Sequence, residues 1–416
     1  MTSAQHTEMN NSGMPADAWG RRRTALAKSA ATKTLSRDLP DGRTLPLTYV
    51  RSGRRSASPV LVIPGGPGLG SVLPYQRFRA VAAKQGIDVL MVEHRGVGMS
   101  RKTDGGADLR PADITVPDVL ADLVAVLDAE GIERITVYGS SYGSYLAAAF
   151  GASYPDRVSG MILDSPMLDA QSKNDTAQAL NDLYWHGTHE TADQAARLRA
   201  LTQRGVVSVA EAGFPVQLIH ESGGPDLVAS MLNLLEQGKG ARVWSWLQGL
   251  GASDVMRSRP FLMEFDLVAR CAFVELGYGL PHDSEIGPLG SDTSYVGLAD
   301  QFPPFESESV DVRAALPKFD WPLLVLSGDR DIRTPRSVAD HVTALTPNAV
   351  LVPIQQHGHS ALDNAQPLAL RSIHHLMEST TPAPHELKDL RASRSMIARL
   401  ISLRLGFARV LPKRAS

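Results

Sequence analysis

The sequence of 416 residues contains a single cysteine, Cys271. One cysteine excludes an intramolecular disulfide framework and a cysteine-based metal site, and it suits a reducing compartment. An excess of charge of one sign is also lacking, because 42 lysines and arginines are balanced by 44 acidic residues, for a net charge of −2. This balance predicts no binding of nucleic acid, and it favours a protein that acts on a small molecule or a short peptide.

Long apolar runs are absent as well. No segment approaches the roughly 20 apolar residues that a membrane-spanning helix needs. A secretory signal needs an apolar run of about 7–15 residues after its positive charges, but Lys28 and Ser29 interrupt the segment that follows the three arginines at 21–23. We therefore expect a cytoplasmic protein with a flexible N-terminal leader over residues 1–32.

The rest of the sequence alternates regularly between short apolar runs and helical patterns. The turn Asp41-Gly42 between two β-like segments predicts a hairpin. Mostly apolar runs of the kind found in buried parallel strands follow, at residues 59–63, 87–92, 135–138, 158–163, 321–326 and 349–353. This alternation predicts an α/β fold with a mostly parallel sheet and helices on both faces.

The pattern changes between residues 167 and 317, where it is mainly helical, and strands resume afterwards. We interpret this stretch as an inserted helical cap on a core formed by residues 33–166 and 318–380. A cap of that length could cover an active site and shape its substrate pocket.

Residues 381–416 form a basic amphipathic tail, in which apolar residues are interleaved with Arg399, Arg404 and Arg409. Such a helix favours packing on its own domain or on a second subunit, so the tail could support a homo-oligomer. Binding to a membrane surface is the alternative.

The motif Gly-Ser-Ser-Tyr-Gly at residues 139–143 lies between a β-branched run and an alanine-rich helical segment. This strand–turn–helix context is typical of a nucleophile elbow, in which a serine on a tight turn needs small neighbours. Ser141 is the candidate nucleophile.

Two further strand-end loops carry an acid and a base. Asp331 follows one late strand and His359 follows the next, which gives the order Ser, Asp, His that α/β-hydrolases show. Asp329 is an alternative acid that could equally form a turn, and His357 competes with His359. Asp164 also ends a strand, although we expect it to support the junction with the cap.

These residue types have defined roles in nucleophilic catalysis. His359 would take the Ser141 proton, while Asp331 would fix the imidazole tautomer and stabilise the imidazolium. Backbone N–H groups of Tyr142 and of Gly66 or its neighbour Gly65 would hold the oxyanion, at typically ~3–4 kcal/mol per donor.

Cofactor and metal chemistry find little support in the sequence. No Gly-x-Gly-x-x-Gly or Walker pattern occurs. His357 and His359 lie in a loop and lack the His-Glu-x-x-His spacing of a helical zinc site. We expect neither a cofactor nor a metal.

The sequence resembles the proline iminopeptidase and tripeptidyl aminopeptidase-like branch of the α/β-hydrolase superfamily. The resemblance rests on short motifs within about residues 34–376, outside the cap, at residues 65–68, 95–100, 139–144, 328–335 and 358–360. Two positions depart from the family pattern: Pro64 replaces a histidine, and Glu93-His94 replaces Asp-Gln. The resemblance implies the same acid and base, Asp331 and His359.

Family peptidases hold the free ammonium of the substrate with acidic cap residues. Glu264, Asp266 and Glu275 are the possible counterparts that the resemblance implies here, and a solvated helix face is the alternative explanation of these acids. The sequence therefore predicts a serine hydrolase, with an aminopeptidase of the proline iminopeptidase type as the first hypothesis. An esterase, lactonase or small-amide hydrolase is the second, and a non-catalytic binding protein is the third, which the intact Ser, Asp and His set disfavours.

Overall fold

A computed structural model describes residues 16–29, 31–256, 258–291, 293–378 and 395–410. Its strands are β1 (Thr32–Asp38), β2 (Thr44–Ser52), β3 (Val60–Ile63), β4 (Val89–Val92), β5 (Ile135–Ser140), β6 (Val158–Asp164), β7 (Leu323–Gly328) and β8 (Ala349–Ile354). They form one sheet in the order β1-β2-β4-β3-β5-β6-β7-β8. The pairs β1–β2 and β2–β4 are antiparallel and all other pairs are parallel. The predicted hairpin and the predicted mostly parallel sheet are confirmed.

The α-helices of the described residues flank this sheet or lie between its strands in the chain. They are α1 (Ala16–Ala27), α2 (Gln76–Lys84), α3 (Val116–Ala129), α4 (Tyr142–Ser153), α5 (Ser172–Asn181), α6 (Ala192–Gln203), α7 (Val209–Glu236), α8 (Ala241–Met256), α9 (Phe265–Arg270), α10 (Thr293–Ala299), α11 (Val312–Ala315), α12 (Arg336–Leu345), α13 (Ala361–Asn364), α14 (Gln366–Glu378) and α15 (Met396–Val410). None of the helices described combines the length and apolarity of a membrane span.

Both faces of the sheet are covered, which explains why its strands are apolar without alternation. Successive side chains of a strand point to opposite faces. Leu61 of β3 therefore joins the apolar layer that includes Leu120 of α3 and Val342 of α12. Its neighbour Val62 joins the opposite layer, with Phe78 of α2.

The helical insertion, defined here as residues 165–322 between β6 and β7, contains α5 to α11. Its longest helix, α7, is bent at Gly224, which has a left-handed φ of 72°. The insertion has its own apolar core, and Ile401 and Leu405 of α15 pack into it. The division of the chain into domains stays a prediction.

The predicted flexible leader contains a helix in the structure, α1. Leu26 of this helix is buried and packs with Val50, Val72 and Met99. Residues 1–15 and 30 of the predicted leader and residues 381–394 and 411–416 of the predicted tail lie outside the described residues.

A buried ion pair ties the loop after β4 to α3. Arg95 donates to both carboxylate oxygens of Asp122, at 2.7 and 2.8 Å, and both side chains are almost fully buried. Arg37 of β1 donates to the same carboxylate at 2.9 Å. The carboxylate therefore connects the edge of the sheet, the loop and the helix.

We expect Asp122→Ala to lower the free energy of unfolding by about 3–5 kcal/mol, because it leaves the buried Arg95 guanidinium without its main counter-charge. The matched control is Asp128→Ala, which removes the exposed partner of Arg157 and should cost under about 1 kcal/mol. Denaturant unfolding of both variants measures the difference, and equal losses would contradict the role given to the buried pair.

Candidate active site

The elbow around Ser141 is formed by the end of β5 and the start of α4. Ser141 itself has φ 54° and ψ −123°, a backbone conformation that is strained for a residue with a side chain. Both flanking glycines are required by close packing. A Cβ at Gly139 would lie 2.1 Å from the carbonyl oxygen of Gly143, and one at Gly143 would lie 2.2 Å from that of Ile63.

The structure brings Ser141, His359 and Asp331 together. The Oγ of Ser141 lies 2.8 Å from Nε2 of His359. On the other side of the ring, Nδ1 lies 3.0 and 3.2 Å from the two carboxylate oxygens of Asp331. Thr334 donates to Asp331 from its backbone N–H and its hydroxyl, both at 2.9 Å. The arrangement can therefore move a proton from the serine to the imidazole and stabilise the resulting charge.

Electrostatics support this arrangement. Although burial disfavours its charged form, the adjacent Asp331 carboxylate raises the pKa of His359 above the ordinary value. Burial likewise opposes ionisation of Asp331, but His359 and the two hydrogen bonds from Thr334 outweigh it and lower the pKa of Asp331 to about 2. The carboxylate is thus charged throughout the neutral range.

The competing residues named from the sequence lie elsewhere. Asp329 accepts hydrogen bonds from the backbone N–H groups of Gln356 and His357, at 2.8 and 3.0 Å, so it joins the acid loop to the histidine loop. His357 is buried, and burial lowers its pKa.

Asp164 holds the segment that follows His359, a role that the sequence did not specify. Its carboxylate accepts from the N–H groups of Ala361 and Leu362, at 3.0 and 2.8 Å, and from the Tyr138 hydroxyl at 2.8 Å. Ser165, also missed, accepts from the N–H of Ser360 at 2.9 Å. The only sequence signal for either residue was its place at the end of a strand.

The predicted oxyanion donors border Ser141. Tyr142 is the first residue of α4, so its N–H is one of the donors that a helix leaves without an internal partner. Gly65 is so close that a Cβ there would lie 3.0 Å from the Ser141 Cβ. A glycine-rich loop, residues 64–70, follows β3. Just beyond it, the N–H groups of Ser71 and Val72 donate to the buried Glu93 carboxylate, at 2.5 and 2.9 Å.

A cavity of about 440 Å³ opens beside these residues, a volume in the range of ligand pockets. The core contributes Ser141, His359, Gly65 and Gly66 to its wall. The helical insertion contributes polar side chains together with apolar and aromatic ones, the latter including Met167, Phe214, Met263, Leu276, Tyr278 and Tyr295.

The three acids proposed to bind an ammonium group do not line this cavity. Glu264 is fully buried and accepts from the N–H groups of Gly98 and Phe261, at 2.6 and 3.0 Å. Asp266 pairs with Arg101 at 2.8 Å. Glu275 accepts from the N–H of Val116 and pairs with the Arg270 guanidinium at 2.7 Å. All three carboxylates hold the insertion to the core.

The charged residues that do line the cavity are mainly cationic. They are Lys173, Arg259 and Arg333, with Asp169 and Asp363 as the acids. Both acids are engaged elsewhere. Asp169 pairs with the Arg313 guanidinium at 2.7 Å, and Asp363 accepts from the hydroxyl groups of Tyr75 and Ser360. Among the described residues, no group of three or more metal-binding side chains occurs.

Comparison with known proteins places residues 58–213 in a family model described as the alpha/beta hydrolase fold. A probable proline iminopeptidase of Leptolyngbya boryana is 31% identical over 115 residues, which cover 28% of this chain and 33% of the relative. A 2-hydroxy-6-oxononadienedioate/2-hydroxy-6-oxononatrienedioate hydrolase of Paraburkholderia phymatum is 32% identical over 143 residues, 34% of this chain and 46% of the relative. The matched stretch thus spans about a third to a half of these relatives.

Among solved structures, the chain is similar to a proline iminopeptidase of Mycobacterium smegmatis. The two share 16% sequence identity at a TM-score of 0.47, and the match covers 82% of this chain and 98% of the other.

Proposed function

We propose that this chain, which has the α/β-hydrolase fold, is a serine hydrolase with Ser141 as nucleophile, His359 as general base and Asp331 as the acid of the triad. The observation that carries the proposal is the 2.8 Å contact between Ser141 Oγ and His359 Nε2, made by a serine with left-handed backbone at the end of a central strand. A strained backbone conformation such as that of Ser141 persists only where the packing around it holds it in place, and such strain is typical of functional sites.

The reaction follows from this geometry. As Ser141 Oγ attacks the substrate carbonyl, its proton passes to Nε2 of His359, and Asp331 stabilises the imidazolium through Nδ1. The backbone N–H of Tyr142 and that of Gly66 or Gly65 donate hydrogen bonds to the carbonyl oxygen as negative charge develops on it. His359 then protonates the leaving group. A water molecule, activated by the same histidine, hydrolyses the acyl-enzyme and restores Ser141.

Two substrate classes follow from different observations. The relatives named proline iminopeptidases support an aminopeptidase that releases residues from a free N-terminus. The cavity favours the second class, esters, lactones or small amides without a free ammonium group. The three acids predicted to bind an ammonium group lie outside its lining, and the two carboxylates that do line it already have partners. Neither of these two carboxylates is therefore left to pair with a substrate ammonium. The lining is the more direct observation, because the relatives align over only 28% of this chain.

Ser141→Ala should abolish turnover, with kcat lower by about 10⁶-fold, because the nucleophile is lost. The matched control is Ser140→Ala, which removes the neighbouring hydroxyl that contacts Ser360 and should retain activity within about tenfold. Stopped assays on one ester substrate, with circular dichroism to verify the fold, measure both. Full activity of Ser141→Ala would overturn the proposal.

The pH dependence of kcat/KM should report His359, which must be neutral to accept the serine proton. Because the pKa of His359 is raised, its inactive protonated form persists to higher pH than that of an ordinary histidine. We expect kcat/KM to rise with pH through a midpoint above 6.5, and the residual activity of Asp331→Asn to have a lower midpoint. A wild-type midpoint at or below 6.5 would count against this assignment.

A substrate panel separates the two classes. We expect short acyl p-nitrophenyl esters and a lactone to be turned over, and prolyl and alanyl p-nitroanilides to react poorly, because the two carboxylates of the cavity lining already have partners and cannot pair with their ammonium group. N-acetylated anilides are the matched controls. Rapid turnover of the free aminoacyl anilides that acetylation abolishes would establish the aminopeptidase instead.

A further inference from the structure

One helix carries most of the large apolar side chains that the described residues expose. Seven such side chains are exposed, and four of them lie on α15: Met396, Leu400, Leu403 and Phe407. Their spacing of four, three and four residues places them on one face of the helix. Met396 is 87% exposed and Phe407 is 64% exposed. We call this row the apolar stripe.

The opposite face of α15 is already committed to the chain's own fold. Ile401, Leu405 and Ala408 are buried in the apolar core of the helical insertion. The guanidinium of Arg404 lies 4.3 Å from the centroid of the Trp246 ring. These contacts fix the rotation of the helix, so the apolar stripe faces outward because of the packing beneath it.

Charge distinguishes among the surfaces that could cover the stripe. Arg399 and Arg404 lie on its two sides, and the sequence from 395 to 416 contains no aspartate or glutamate. It continues with further cations at Lys413 and Arg414. A second copy packed stripe to stripe would bring arginines against arginines. A surface of anionic lipids would pair with them while its acyl chains received the apolar side chains.

We propose that α15 is a peripheral membrane-binding element, which lies parallel to an anionic lipid surface with the apolar stripe inserted at the boundary between headgroups and acyl chains. Helices that lie in the membrane interface combine these features: they have an apolar face with basic residues beside it, and they are too short or too polar to span a bilayer. The site is independent of the hydrolytic function, because the stripe residues do not line the cavity beside Ser141.

The test is sedimentation of the full chain with lipid vesicles. Vesicles of phosphatidylcholine alone are compared with vesicles that also contain phosphatidylglycerol, at low and high salt. We expect binding to the anionic vesicles that weakens with salt. The triple variant M396Q/L403Q/F407Q should bind at least about tenfold more weakly, since it loses the inserted apolar area.

Two controls accompany the triple variant. V206Q changes an exposed apolar residue away from α15 and should bind like the wild type. R399Q keeps the stripe but removes a flanking charge, so it should bind anionic vesicles more weakly and with a smaller salt dependence. Thermal unfolding and turnover of one ester substrate verify that each variant is folded.

Three outcomes would overturn the proposal. The first is a wild-type chain that stays in the supernatant with anionic vesicles at low salt. The second is a triple variant that binds these vesicles as well as the wild type does. The third is a wild-type chain that is a dimer by light scattering and does not bind vesicles, together with a triple variant that is a monomer. The last result would assign the stripe to a second copy of the chain.

Discussion

The close approach of the end of β3 to the first turn of α4 is the constraint on which the rest of the site depends. A single methyl group on Gly143 would lie 2.2 Å from the Ile63 carbonyl oxygen and 2.5 Å from that of Pro64. The backbone of α4 at Gly143 therefore packs directly against the backbone at the end of β3, and the glycine-rich loop that follows β3 starts beside Ser141. The strained conformation of Ser141 and the proximity of Gly65 are consequences of the same contact. Ser141 and the candidate oxyanion donors are therefore held in fixed positions relative to each other by backbone packing alone.

The histidine is brought to this point by a second buried interaction, centred on Asp164. Its backbone oxygen accepts from the N–H of Ser141 at 2.9 Å, while its carboxylate accepts from two N–H groups just after His359. One residue thus anchors both the elbow and the histidine loop, although 218 positions separate Ser141 from His359. Burial raises the pKa of Asp164, and its three hydrogen bonds oppose that effect. The Asp164 carboxylate therefore positions the segment that follows His359, and Asp164 does not line the cavity.

Much of the core was predictable because its signals are local. Apolar runs of four to seven residues mark strands that are buried on both faces, and the strand bounds differ from the prediction by only a few residues. The elbow glycines likewise appear in the sequence, since close packing leaves no alternative residue. The acids of the insertion could not be predicted in the same way. Glu264 and Glu275 differ from a substrate-binding acid only in their partners, and for each of them these include a backbone N–H group more than 150 positions away. The sequence left a disordered and a helical leader open, and the packing that places its helix could not be predicted because Leu26 contacts residues distant in the sequence.

The helical insertion is more than a cover, because α7 contacts the loops of both the acid and the base. Gly224, at the bend of α7, packs against the Arg330 side chain next to Asp331. Glu221, one turn earlier, pairs with Arg333 at 2.9 Å, and its carbonyl oxygen leaves no room for a Cβ at Gly358. Arg333 also lines the cavity, as does Gln217, which donates to Glu221 at 2.9 Å. Arg333 and Gln217 both donate to the Glu221 carboxylate, and Glu221 holds α7 against these loops. A substrate that contacts either residue would therefore also affect the position of α7. The wall of the cavity and the positions of Asp331 and His359 thus depend on one set of contacts, so a substitution at Arg333 or Gln217 would also change how these two residues are held.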